Sequence, residues 1–329
     1  MPLPLSILDL APVVAGTPAS VSVRRTVELA RLAERLGYVR LWYAEHHAMP
    51  SVASSAPELL IANSAAATKT LRLGAGGIML PNHAPLRVAE MFHTLEALHP
   101  GRIDLGLGRA PGGVPGVTRA LRAGRGDQFD QQLNELIACS RGPGDDARFD
   151  SVHAEPGDAG LPPIWLLGSS GASARLAGER GMGYSFAAHF SPAPPAPAML
   201  AYRQSFRPSA RFPRPHALLG LAVVCAETAE EARRLASTME LAWLRIHSGR
   251  FLPLPSPEEA LAYPYSEYEQ AALREVRERT IVGTPETVRR RIEAVAAETQ
   301  ADEVMIVGNI HDHAARLRSY EWIAAAFRG

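Results

Sequence analysis

Disulfides cannot frame this chain, because its 329 residues include only two cysteines, Cys139 and Cys225. The two share no metal-ligand spacing, so a thiolate metal centre is not expected. No surplus of one charge is present either. Lys+Arg and Asp+Glu number 34 each, which gives no reason to expect nucleic acid or an anionic membrane as partner. Uncharged apolar runs of transmembrane length are missing. The opening Met1-Pro-Leu-Pro-Leu5 has no charged stretch leading into a long apolar one, as a secretory signal would, and the expected location is cytoplasmic. There are no internal repeats.

The chain does have a regular alternation of apolar runs and amphipathic stretches, and its 47% hydrophobic content suits a globular enzyme with a sizeable core. A first strand is predicted at Leu5–Asp9. Val23, Val27, Ala30, Ala33 and Leu36 recur at helical spacing over Ser22–Leu36, and Gly37 supplies the stop. The stretch Gly37-Tyr-Val-Arg-Leu-Trp-Tyr-Ala-Glu-His-His47 then reads as a strand ending on an acid and two imidazoles. Further strands are predicted at Leu71–Leu80, Ile103–Gly108, Ile164–Gly168, Tyr184–Ala188, Leu218–Cys225 and Glu303–Gly308. Helices are predicted from Pro57 and over Pro85–Leu98, Gln128–Cys139, Ala229–His247, Pro285–Ala297 and His311–Phe327. Eight strands alternating with helices imply an α/β fold of the (β/α)8 TIM-barrel type, with an open doubly wound sheet as the competing arrangement. The even spread of polar tips over many strands favours the barrel. The chain is read as one domain over residues 1–329, with irregular insertions at about 110–126, 141–162 and 248–284.

In a parallel barrel the C-terminal ends of the strands carry the chemistry. Glu45-His46-His47 therefore comes first. His46 is the candidate acid/base, oriented by the neighbouring Glu45, since imidazole titrates near neutral pH. Adjacent histidines face opposite ways on a strand and chelate poorly, so no metal is assigned. Ile164-Trp-Leu-Leu-Gly-Ser-Ser-Gly-Ala-Ser173 is the second candidate. It runs a strand through Gly168 into a Gly/Ser loop that opens a helix, where free N–H groups at Gly171 and the hydroxyls of Ser169, Ser170 and Ser173 suit a phosphate. The same serines would equally serve as ordinary N-caps. In Gly106-Leu-Gly-Arg109, glycines such as Gly108 let a flat ligand approach the backbone, and Arg109 suits a phosphate or plain solvent. Gly76 and Gly77 remove side chains from mid-strand, either for such an approach or for a bend at a barrel corner. His47, His189 and Asn309 are candidates for the substrate pocket. His83 and His93, beside or inside a helix, are read as structural.

Several of these segments, taken together and in order, resemble the luciferase-like, flavin-dependent monooxygenase family, in its single-chain, non-luminescent branch. They are Trp42-Tyr-Ala-Glu-His-His47, Leu80-Pro81 with Pro85-Leu-Arg-Val-Ala-Glu90, Pro100-Gly-Arg-Ile-Asp-Leu-Gly-Leu-Gly-Arg109, Pro163 to Ser173, and Val282-Gly-Thr-Pro285. The resemblance covers nearly the whole chain and implies a (β/α)8 barrel. It implies an enzyme in which FMNH2, supplied by a separate flavin reductase, reacts with O2 to give a C4a-(hydro)peroxyflavin that oxygenates a small organic substrate. By the same resemblance, Ser170, Gly171, Ser173 and Arg109 hold the FMN phosphate, and His46 works beside the flavin. A cis peptide is expected at Gly76-Gly77 under the isoalloxazine, and a homodimer is expected. Arg119, Arg122 and Arg125 of the basic loop are further candidates for the phosphate. Bacterial luciferase has a reactive cysteine where this chain has Gly108, so luminescent chemistry is not carried over. The alternatives are F420-dependent hydride transfer on the same barrel and a flavin-binding protein without turnover. A metal-dependent hydrolase lacks the carboxylates it would need.

Overall fold

A computed structural model describes residues 3–110, 112–113, 115–123, 126–141 and 152–328 of the chain. The strands are β1 (Leu5–Asp9), β2 (Arg40–Tyr43), β3 (Arg72–Met79), β4 (Ile103–Gly108), β5 (Ile164–Gly168), β6 (Gly183–Phe186), β7 (Ala217–Cys225), β8 (Ile281–Gly283) and β9 (Glu303–Val307). Eight of them form a closed parallel ring in the order β1-β2-β3-β4-β5-β6-β7-β9, sealed by the β6–β7 and β1–β9 pairings. The ninth, β8, is outside the ring. It pairs with Val223–Cys225, past the Leu218–Ala222 stretch where β7 meets β9. Around the ring lie α1 (Ala19–Leu36), α2 (Pro57–Ala66), α3 (Pro85–Leu98), α4 (Pro115–Ala120), α5 (Phe129–Arg141), α6 (Gly171–Glu179) and α7 (Pro195–Ser205). They are followed by α8 (Ala229–His247), α9 (Pro257–Ala262), α10 (Glu267–Arg279), α11 (Pro285–Thr299) and α12 (His313–Phe327). This is the (β/α)8 TIM barrel that the strand count implied.

Alternation along each strand sends one set of side chains into the ring and the other against the helices. Facing outward, Ile7, Leu41, Leu73, Leu105 and Ile306 join Leu29, Phe92 and Ile292 of the helices in the main core. Facing inward, Leu8, Trp42, Trp165, Leu218 and Met305 make a smaller interior cluster, with Trp42 and Trp165 edge-on at 5.5 Å. At the N-terminal end the interior is ionic. Arg40 donates to Asp104 at 2.7 Å and to Glu303 at 2.8 Å, Trp42 Nε1 to Asp104 at 3.1 Å, and His216 adds a contact to Glu303 at 3.1 Å. Ser6 also bonds Glu303. All four of Arg40, Asp104, Glu303 and Ser6 are buried. The Arg40 charge, against the cost of burial, holds the Glu303 carboxyl down to about 2.

Two stretches differ from the sequence reading. The segment 248–284 is not irregular, since it folds as α9, α10 and β8. Its helices begin with serine caps (Ser256, and Ser266 in a capping box with Glu269), but α10 buries only Leu273 and Val276, too few to make a readable apolar stripe. The segment before β7 contains α7, whose first turn is masked by Pro194, Pro195 and Pro197. The 110–126 stretch includes α4, and residues 152–162 carry turns only.

Candidate active site

Strand β2 ends at Tyr43, so Glu45, His46 and His47 lie in the loop past its C-terminal end. That loop is tied down through its backbone. His46 N–H donates to Ser54 O at 2.9 Å, and His47 N–H to Gly112 O at 3.1 Å, which brings the loop after β4 over the tip of β2. Gly112 takes a φ of 66°, and a Cβ there would come within 3.0 Å of Glu45 O, so the close approach requires glycine.

The Glu45 carboxylate does not orient His46, contrary to the reading from sequence. Being fully buried, it turns to the neighbouring strand and accepts from His47 Nε2 (2.7 Å), Met79 N–H (2.8 Å), His83 Nε2 (2.9 Å) and Asn82 Nδ2 (3.2 Å). His83 therefore belongs to the site's framework, a role that its place beside a helix concealed. Burial acts to raise the Glu45 carboxyl. The bond and charge of His83, then His47 and the Met79 amide, outweigh it and hold the group below its ordinary 4.5. His83 is correspondingly held above 6.5, since Glu45 overcomes the effect of its burial. His93 has the structural place expected of it, between Ser140 Oγ (2.7 Å) and Pro156 O (3.0 Å).

The mouth of the ring collects polar atoms that the fold leaves unpaired. His46 Nδ1, His189 Nδ1 and Asn309 Oδ1 are each sealed from water without a hydrogen-bond partner among the described residues. They follow β2, β6 and β9. Burial lowers His46 below its ordinary 6.5, opposed by Glu45 and helped by His47. His189 is pushed down to about 4 by burial, opposed by the Gly220 backbone and helped by His46. A buried polar atom without a partner costs on the order of 1–3 kcal/mol unless water or a ligand pairs it, and three at one end of the barrel make the mouth the candidate site. A cavity of about 320 Å³ lies at the opposite end, beside Ile164, Met182 and Phe212.

The glycines divide into two kinds. Gly106 and Gly77 are demanded by the protein's own backbone: a Cβ on Gly106 would stand 2.0 Å from Ala75 O, and one on Gly77 2.7 Å from Gly106 O. Gly76 makes room for Leu8 and Trp42, and Gly108 for Met79. The Gly76–Gly77 peptide is cis. At the end of β5, Gly168 leaves space for Ser173, whose hydroxyl donates to Ser170 O at 3.2 Å. Ser170 is the N-cap of α6 but its side chain makes no capping bond, which leaves the first N–H groups of that helix open. Gly171 has nothing closer to its Cβ position than Arg175 Nη1 at 3.5 Å. Arg175, four residues along the helix from Gly171, was not singled out from sequence, although that spacing places it on the same face. Ser169 is half-buried, while Ser170, Arg109, Arg119 and Arg122 are exposed. Arg125 lies outside the described residues.

The candidate site is thus the C-terminal mouth of a parallel barrel, with histidines at the strand ends and the uncapped N-terminus of α6 following β5. A sequence model described as luciferase-like monooxygenase matches residues 3–303, and the chain belongs to that family. It is 42% identical over 321 residues to a luciferase-like monooxygenase of Escherichia coli, covering 96% of this chain and 94% of the other. Among solved structures it is similar to apo-MsnO8 (39% identity, TM-score 0.91, covering 99% and 98% of the two chains). It shares its fold with the oxygenating constituent of 3,6-diketocamphane monooxygenase from a Pseudomonas putida plasmid, solved in complex with FMN (20% identity, TM-score 0.72, covering 99% and 98%). The chain is thus an oxidoreductase of the luciferase-like monooxygenase family, and among the described residues no helix is long and apolar enough to cross a membrane.

Proposed function

We propose that the protein is an FMNH2-dependent monooxygenase that uses O2 to oxygenate a small organic substrate held in the barrel mouth. A separate flavin reductase and a homodimeric assembly belong to the same reading. The reduced flavin, when bound, supplies the activation of O2. The remaining work falls to the chain's own residues. Ser169, Ser170, Gly171 and Ser173, with the open N-terminus of α6, would hold the phosphate, and exposed Arg109 would add its charge. His46 would hold or release a proton at the mouth, where its imidazole is neutral near pH 7. Glu45 keeps His46 in place indirectly, by anchoring the loop to β3 through Met79 and His83. At the other end of the ring the buried Arg40, Asp104 and Glu303 and the two tryptophans fill the interior.

The observation that carries this reading is the trio of unpaired polar atoms at the mouth, His46 Nδ1, His189 Nδ1 and Asn309 Oδ1. The test is an anaerobic titration with FMNH2 and, separately, with reduced F420, followed by a pulse of O2. Tight FMNH2 binding with O2 uptake is the expected result. Binding of F420 alone, without O2 uptake, would replace oxygenation by hydride transfer. The double variant Ser170→Ala with Arg109→Ala is expected to weaken FMN binding in a folded barrel, and unchanged affinity would remove the phosphate site from α6.

A further inference from the structure

Two hydroxyls from different elements meet on one carbonyl just past the end of β5. Tyr184 of β6 is fully buried, with its ring in the outer core at 5.4 Å from that of Tyr202. The Tyr202 hydroxyl is engaged elsewhere, donating to Met182 O at 2.8 Å. The Tyr184 hydroxyl instead donates at 3.3 Å to Ser170 O, the carbonyl of the N-cap of α6. Ser173 Oγ donates to the same oxygen at 3.2 Å. Gly168 makes that position of Ser173 possible, since a Cβ on the glycine would stand 1.9 Å from Ser173 Oγ. Burial pushes the Tyr184 phenol up, with the Ser173 hydroxyl opposing, so the tyrosine keeps its proton through the neutral range.

We propose that Tyr184 is a positioning residue for the cofactor's phosphate: by holding Ser170 O, it frees Ser173 to turn its proton to the anion. This rests on the reading that seats the phosphate at α6. A serine hydroxyl has a single proton, and that of Ser173 is committed to Ser170 O. A phosphate dianion only accepts, so Ser173 can bond it as donor only by leaving the carbonyl. With no second donor, the carbonyl would lose its partner just as the anion displaces water from the first turn. The gain at the phosphate would then be offset by the loss at Ser170. Tyr184 removes the conflict, because its hydroxyl reaches the same oxygen from the buried side. The Ser170 side chain makes no capping bond, so the first N–H groups of α6 stay open to the same anion. Charge from Arg109, or from Arg119, Arg122 or Arg125 of the basic loop, would strengthen a phosphate site without altering this count of protons.

The test compares anaerobic affinities for FMNH2 and for reduced riboflavin, which differ only by the phosphate. Their ratio reads the phosphate contacts apart from the rest of the site. In Tyr184→Phe, which keeps the ring, the ratio is expected to fall about three- to tenfold while reduced riboflavin binds as in the wild type. Ser173→Ala is expected to lower the ratio at least as far. Adding Tyr184→Phe to Ser173→Ala should change it no further, since the tyrosine acts through the serine. A ratio that Ser173→Ala lowers and Tyr184→Phe leaves alone would overturn the positioning role and keep the phosphate at α6. Equal effects of Tyr184→Phe with and without Ser173 would overturn it too. A ratio unmoved both by Ser173→Ala and by Ser170→Ala with Arg109→Ala would remove the phosphate from α6, and the role of Tyr184 with it.

Discussion

Removing the Glu45 carboxylate tests the framework of the site, because four donors converge on one fully buried group. Glu45→Ala strands the Met79 amide and both histidines, and breaking a buried charged cluster on one side costs about 3–5 kcal/mol. Glu45→Gln keeps the shape and one acceptor oxygen but loses the charge, at about 1.5–3 kcal/mol. With unfolding entropy near 2.1 cal/mol/K per residue, a chain of 329 residues loses about 1.5 °C of Tm per kcal/mol. The expected falls are about 4–7 °C for the alanine variant and about 2–4 °C for the glutamine variant. The difference also depends on pH. His83 is raised by its partner, so its contribution is complete below 6.5 and is lost as pH rises through its folded value. Glu45 is lowered, so its contribution is complete above 4.5 and is lost as pH falls through its folded value. The gap between wild type and Glu45→Gln is therefore widest between 4.5 and 6.5 and narrows on both sides. Circular-dichroism melts across pH measure this directly. A gap that is flat with pH, or widest in alkali, would refute the cluster.

His46→Ala is expected to retain FMN binding while turning turnover toward peroxide, measured as H2O2 formed per O2 consumed; full coupling with a true substrate would remove its proton role. Arg40→Met leaves Asp104 and Glu303 buried without their shared cation and should cost about 3–5 kcal/mol near neutral pH. Because Glu303 is held at about 2 in the wild type, that loss should shrink as the pH falls toward it, and denaturant melts at two pH values decide the point. Gly106→Ala should destabilise the barrel by about 1–3 kcal/mol through the clash with Ala75 O, with no separate effect on FMN affinity once folded. Burial pushes the Cys225 thiol up to about 12 and raises Cys139 as well, so neither should react with an aromatic disulfide until the chain unfolds.

The eight ring strands were legible because each is a short apolar run bounded by glycine, proline or a helix, and the structure moves their ends by a residue or a few. What was hidden is physically distinct. The helix Pro195–Ser205 starts in a proline cluster that reads as loop, and Glu267–Arg279 is so largely charged that its period barely shows. At the site, the tip residues were found because chemistry in a parallel barrel collects at strand ends. The partnership of Glu45 was not, because local order puts it beside His46 whereas the pairing depends on which way the loop turns after Tyr43. Only tertiary structure brings His83, thirty-eight positions away, onto the same carboxylate.

The two ends of the barrel differ in how completely their polar groups are satisfied, and that difference bears on where function lies. At the floor, Arg40, Asp104, Glu303, Ser6 and His216 form an interlocked set that leaves the buried charges matched. Such a matched ionic set is scaffolding, although Trp165 Nε1 beside it is buried without a partner among the described residues. At the mouth, Glu45 is just as fully engaged, so it too is scaffolding. The unpaired atoms, His46 Nδ1, His189 Nδ1 and Asn309 Oδ1, are those that the scaffold surrounds without bonding. A ligand that pairs them recovers a desolvation cost already incurred on folding, so binding there should also stabilise the fold. The thermal shift on adding FMNH2 should therefore shrink, without vanishing, in His46→Ala and His189→Ala, where the phosphate contacts are intact and binding is retained. An undiminished shift in both variants would mean that the flavin does not reach these atoms.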